Sequence, residues 1–287
     1  MNKKPIVVYA AIAANLLIAI SKFGAAIFTK SSAMISEGIH SLVDTGNQLL
    51  LLLGIKRSSR PPDERHPFGH GKELYFWGLM VAIVLFGVGG GMSIYEGILH
   101  ILHDSELKSP TVNYIVLGIA AFLEAGSFTV ATREFLKQIG EGSMWKALRS
   151  SKDPSLYVVL LEDFAALSCL LIAFLGVYFG HRYHNKVFDG VASILIGLIL
   201  ATVAVFIVYE TKGLLLGESA DPNKVEQIRE VLLKDPDIGD VNVPLTMHFG
   251  PKEILVNVRV RFRNGLTTAQ IAEAINRSEN SIKRNDP

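Results

Sequence analysis

An all-α membrane domain of six transmembrane helices, followed by a small α+β cytoplasmic domain, is the fold class this sequence predicts. Three observations predict it. Of the 287 residues 49% are hydrophobic and only 19% are charged, and mean hydropathy is +0.34. The apolar residues gather into six runs, at about 6–28, 33–55, 74–102, 112–131, 156–179 and 187–209, each near or above the ~20 residues that cross a hydrocarbon core. Beyond Tyr209 the runs stop and the texture becomes polar and amphipathic. The expected division is a membrane domain over 1–212 and a cytoplasmic domain over 213–287.

The first run follows Lys3 and Lys4 closely. It is too long for the apolar core of a signal peptide and has no convincing small-residue cleavage site, so it is expected to stay as a span. Cys169, the one cysteine, lies inside the fifth run, which excludes an internal disulfide framework and a multi-cysteine zinc cluster. Basic residues concentrate at the N-terminus, in the second-to-third connection (Lys56, Arg57, Arg60, Arg65, Lys72) and in the fourth-to-fifth (Arg133, Lys137, Lys146, Arg149, Lys152). The opposite connections hold only Lys30, Lys108, Arg182 and Lys186. The positive-inside rule then puts both termini in the cytoplasm. The short connections and compact start suit a bacterial inner membrane.

The polar tail opens with a helix: Asp221 is placed to cap it, Pro222 fits its first turn, and Val225, Ile228, Val231 and Leu232 form an apolar stripe. "ILVNVRVRF" alternates like one half-buried strand after a turn at "FGPKE", and "TTAQIAEAINRSENSIKR" reads as a closing amphipathic helix. The expected order is α-β-β-α. A chain stopping directly after such a helix leads us to expect a shortened tail. No short repeat occurs, and no basic–aromatic patch suggests nucleic acid.

The second run carries Glu37, His40, Asp44 and Asn47 at steps of three or four residues, one stripe of a helix. An ionisable group at the bilayer centre costs at least ~2.5–3.5 kcal/mol, so this face must meet protein or a cavity rather than lipid. His40 and Asp44 offer an imidazole nitrogen and a carboxylate oxygen, which suit zinc and other borderline divalent ions; a polar pair that only joins helices is the competing reading. Glu162 and Asp163 stand together in the fifth run. The two sets satisfy one another best around a shared cation. In the loop "RPPDERHPFGHGKE", Asp63, His66 and His70 have metal-ligand spacing within a Pro/Gly-shaped backbone, where a solvated turn with two histidines is the alternative.

The six runs, "SEGIHSLVD", "HPFGHGK", the acid in the fifth run and the α+β tail together resemble the cation diffusion facilitator family of divalent-metal exporters. "LLEDFAAL" is most similar to its zinc-transporter-9-like branch. The resemblance implies a homodimer that exchanges protons for Zn2+ or a related transition metal, carried as substrate with no cofactor. It implies a four-ligand site in which His40 and Asp44 form one half and Asp163 supplies the fifth-span acid. The remaining ligand of the pattern lies one turn before that acid, where this chain has Val159. Glu162 is the candidate substitute, yet a neighbouring residue points about 100° away; it could reach the ion, support a ligand or take a proton. The resemblance also matches Asp63, His66 and His70 to an interfacial metal site.

Other polar intrusions keep plainer readings. Glu124 is a proton relay, an extra ligand or a hydrogen-bonding group; Asn15 is equally ambiguous. Lys22 is expected to snorkel, Asp189 to sit where water reaches it in a structural or gating role, and His248 to be a surface histidine. "FGVGGGMSIYEG" offers a small-residue surface for close helix approach. An intramembrane metalloenzyme would need an open metal position and a base, and no H-E-x-x-H helix is present. A passive channel is a third reading.

Overall fold

A computed structural model describes residues 5–103, 110–139, 152–251 and 253–285 of the chain. Lys3, Lys4, Lys108, Lys146 and Arg149, part of the charge asymmetry, lie outside them. Six long helices come first: α1 (Pro5–Thr29), α2 (Ser32–Ser58), α3 (Glu73–Leu102), α4 (Thr111–Ile139), α5 (Pro154–Arg182) and α6 (Val187–Leu216). Among the described residues, four stretches are long and apolar enough to cross a membrane: α3, Thr111–Arg133 of α4, Tyr157–Arg182 of α5, and α6. The described apolar part of α1, Asn15–Thr29, is shorter. Helix α2 is not among the four although it has 27 residues, because its polar stripe lowers its hydropathy.

The helices start where local chemistry tells them to. Asp153 caps α5 by accepting from the Ser155 N–H, with Pro154 in the first turn. Ser31 caps α2 through the Met34 N–H. Asp189 of α6 strengthens that cap, accepting from the Ser31 hydroxyl at 2.6 Å, the Ser32 N–H at 2.6 Å and the Ala33 N–H at 3.3 Å. A carboxylate there also meets the positive end of the helix dipole. Asp189 is fully buried, so the expectation that water reaches it is corrected: its place is inside the helix junction.

Packing around α2 and α6 forms one core, including Val43, Val81, Leu85, Val158, Ile196 and Leu200. The expected glycine surface is present. Helix α3 turns π-helical over Leu85–Gly91, and its glycines face those of α6. A Cβ on Gly97 would stand 2.6 Å from the Gly190 carbonyl oxygen, and one on Gly197 would stand 2.6 Å from that of Gly90. Only a missing side chain lets the backbones come this close.

Lys22 does not snorkel. Its ammonium donates to Glu37 Oε2 at 2.7 Å and to Ser41 Oγ at 2.7 Å, and the two charged side chains are 1% and 0% exposed. The stem points into the α1–α2 interface because Glu37 offers a partner there, whereas the lipid face offers none.

The tail contains α7 (Pro222–Leu233), β1 (Ile238–Val241), β2 (Leu245–Gly250), β3 (Glu253–Asn257), β4 (Val260–Phe262) and α8 (Thr268–Asn285). The single strand expected over "ILVNVRVRF" is two: β2 pairs antiparallel with β3, and β1 with β4. The break follows from Pro244, which lacks an N–H to continue the ladder; opposite it, Val258 and Arg259 leave the strand. Ile228 and Leu232 of α7 pack with Ile238, Val241, Val260 and Phe262 to form a second small core.

Variants at Gly97, Gly87, Lys22 and Glu37 test this packing by thermal unfolding in detergent. Gly97→Ala should cost ~1–3 kcal/mol as an overpacked contact, while Gly87→Ala, with nothing within 4 Å of its Cβ, should leave the midpoint unchanged. Lys22→Met should cost ~3–5 kcal/mol by stranding a buried charge. Adding Glu37→Gln should recover part of that loss. Equal midpoints for wild type and Lys22→Met would show that the pair is dispensable.

Candidate metal centre

A cavity of about 60 Å³ opens among α1, α2, α4 and α5, and its walls include Asn15, Ser41, Asp44, Gln48, Glu124, Ser127, Val159, Glu162 and Asp163. The helical period brings this about. Asp44 lies one turn beyond Ser41 on α2, Ser127 lies one turn beyond Glu124 on α4, and Val159 lies one turn before Asp163 on α5. Three helices therefore deliver carboxylates to one small space.

Two of the acids have hydrogen-bond partners of their own. The Asn47 amide donates to Glu162 Oε1 at 2.6 Å, and the Ser127 hydroxyl donates to Asp163 Oδ2 at 3.0 Å. His40 Nδ1 stands 3.3 Å from Asp44 Oδ1, near enough for an ion pair yet not aligned as a hydrogen bond, since both atoms and His40 Nε2 remain without one. His40 is wholly buried and does not form part of the cavity wall. Unsatisfied buried donors and acceptors are costly, and here they cluster where the chemistry of nitrogen and carboxylate oxygen fits a cation.

Of the expected intramembrane residues, Asp44, Glu162 and Asp163 thus share a cavity, with His40 touching it through Asp44. Their donor atoms do not converge within 4.8 Å. Among the described residues that degree of convergence belongs to Asp63, His66 and His70 alone. In this loop His66 Nδ1 lies 3.1 Å from Asp63 Oδ1, and His70 Nε2 lies 3.4 Å from Asp63 Oδ2. The His66 backbone N–H bonded to the Asp63 carboxylate, foremost among several hydrogen bonds, holds that acid below the usual carboxylate range, so it is ionised at neutral pH.

The loop rests on the tail. Phe68 packs against Phe249 with centroids 5.1 Å apart, Lys72 lies over the same ring at 5.0 Å, and a Cβ on Gly71 would stand 2.3 Å from the Phe249 carbonyl oxygen. His248, next to Phe249, is 5% exposed, which corrects its reading as a surface residue. Strand alternation turns it inward, and burial pushes its pKa down.

Sequence reasoning left Ser41, Gln48 and Ser127 unnoticed as wall residues. Helical spacing from Asp44 and Glu124 carried the signal, but uncharged side chains gave no reason to look. Asn47 was visible in the stripe; its pairing with Glu162 was not.

The profile of the cation efflux transmembrane domain matches residues 8–216. The mitochondrial proton-coupled zinc antiporter SLC30A9 of Mus musculus is 34% identical over 269 residues, covering 93% of this chain and 47% of that protein. Metal tolerance protein C4 of Arabidopsis thaliana is 26% identical over 271 residues, 92% of this chain and 58% of its own. The manganese efflux system protein MneP of Bacillus subtilis is 27% identical over 277 residues, 96% and 89% of the two chains. The chain spans about half the length of the SLC30A9 relatives. With a domain match over most of its length and an organisation of apolar helices to suit, the chain belongs to the cation efflux family.

Proposed function

We propose that this chain exports a divalent transition metal, Zn2+ or a related ion, from the cytoplasm in exchange for protons, by alternating access at the cavity between α2 and α5. The observation that carries the reading is the meeting of Asp44 from α2 with Glu162 and Asp163 from α5 in one small cavity. The family is one of transporters rather than enzymes, which sets aside the metalloenzyme. Relatives named for zinc antiport and for manganese efflux support a divalent cation and leave its identity to the site.

In this proposal all six long helices span the membrane, both termini are cytoplasmic, and the membrane domain gives way to the tail near residue 212. Two copies pair, the tails included, in a bacterial plasma membrane. Facing the cytoplasm, ionised carboxylates and neutral His40 take the metal. Facing outward, protons compete for the same atoms. Ligands must lose protons to bind metal, so metal movement one way and proton movement the other are linked without a separate device. Asp63, His66 and His70 form a second metal site at the cytoplasmic face, against the tail.

Proteoliposomes with an internal pH dye test transport. Saturable metal flux opposed by protons should appear for the native chain and fall to background in both Asp44→Ala and Asp163→Ala. Transport surviving both substitutions would remove the cavity from the pathway, and unsaturable flux without proton movement would mean a channel. Equilibrium dialysis with Zn2+ addresses the loop: His70→Ala should lose one bound ion per chain while keeping the ion lost in Asp163→Ala. Unchanged stoichiometry in His70→Ala would dismiss the loop site.

A further inference from the structure

One carboxylate in the cavity wall lies outside the two helices that carry the proposed ligands. Glu124 stands half-buried on α4. One turn on, Ser127 donates to Asp163 at 3.0 Å, so α4 is tied to the acid of α5 by a direct bond. Val159, one turn before Asp163, lines the same cavity with an apolar side chain. Acidic residues of α2, α4 and α5 therefore line this space, and no basic residue lines it among the described residues. One imidazole stands beside them: His40 is 0% exposed, lies 3.3 Å from Asp44, and has neither ring nitrogen hydrogen-bonded.

Donor chemistry decides which ion such a wall favours. Imidazole and thiolate sites of four ligands suit Zn2+, whereas carboxylate, carbonyl and water oxygens suit harder ions such as Mn2+. A cavity of about 60 Å³ has room for an ion together with water, since about 10–15 Å³ on this measure admits one. Waters complete the larger coordination shell of an oxygen-preferring ion without further side chains.

We propose that Glu124 is a metal ligand and a specificity-determining residue of this cavity, supplying from α4 the donor that Val159 cannot supply from α5 and raising the affinity for Mn2+ relative to Zn2+. This rests on the cavity being the transport site proposed above.

Calorimetric titration of the detergent-purified full chain, carrying His70→Ala to silence the loop, reads each metal separately. Glu124→Gln should weaken Mn2+ binding by at least about tenfold, the range found when a metal-site interaction is removed, and Zn2+ binding by less; Glu124→Asp should restore much of the Mn2+ affinity. An unchanged ratio of the two Kd values in Glu124→Gln, whether both are retained or both fall together, would overturn the assignment. Asp163→Asn separates the two claims. If it abolishes binding while Glu124→Gln leaves the ratio intact, Glu124 alone is dismissed, and if it alters neither metal's affinity, the cavity itself is not the site.

Discussion

Charge buried in an apolar helical domain must be neutralised or held by hydrogen bonds, and the arrangement of these helices follows from how α2 meets that demand. Its stripe runs through the middle of the domain, and apart from His40 and Asp44, which stand 3.3 Å from each other, its polar residues reach out to other helices. Glu37 takes Lys22 from α1, Ser36 shares a hydrogen bond with Ser193 of α6, Asn47 reaches Glu162 of α5, and Asp189 of α6 caps the start of the helix. A helix whose side chains are committed in three directions cannot lie at the edge of a bundle. The constraint also explains why its hydropathy is low for a span: its outward apolar residues are fewer and more sheltered, with Leu42 49% and Leu49 50% exposed against 81% for Ile27 of α1 and 80% for Phe122 of α4.

Periodicity and composition made the six helices, the polar stripe, the glycine contact and the tail legible, because each is a local regularity. A period of 3.6 reports that Glu37, His40, Asp44 and Asn47 share a face, but not what that face meets. The failures share this cause. Lys22 carries the same long stem whether it snorkels or pairs, and only the proximity of Glu37, fifteen residues on, decides between them. Asp189 sits near a helix end, usually a wet place, but here the end is roofed by the start of α2. His248 lies in a short strand where one register step separates surface from core. That Glu162, about 100° from Asp163 around the helix, lines the same cavity is likewise a matter of how the helices meet, which no local period reports.

The connection between α2 and α3 has a comparable dependence on close contact. Its histidines and Asp63 sit on a segment pinned at Phe68, Gly71 and Lys72 to one residue of the tail, Phe249. A pinned loop holds its donor atoms together with less loss of conformational freedom when they act in concert. It also makes the tail part of the loop's environment, so a change in the β2–β3 hairpin is felt at Asp63 and the histidines.

The charges of the membrane domain therefore divide into two kinds. Lys22 and Glu37 cancel each other, and their partnership fixes α1 on α2. Two of the cavity acids are held differently: the Asn47 amide and the Ser127 hydroxyl donate to Glu162 and Asp163 as neutral dipoles and bring no counter-charge. A lysine in the wall would have stabilised those acids more strongly, and by cancelling their charge it would have removed the reason for a divalent ion to enter. Under the proposed function, an incoming cation would have only to compete with single neutral hydrogen bonds, each worth about 1 kcal/mol net or somewhat more to a charged acceptor, and those donors would turn back to the acids when the ion left. Reversible binding of the proposed kind would draw on this combination: acids held by dipoles rather than by counter-charges, and the nearby lysine committed to Glu37.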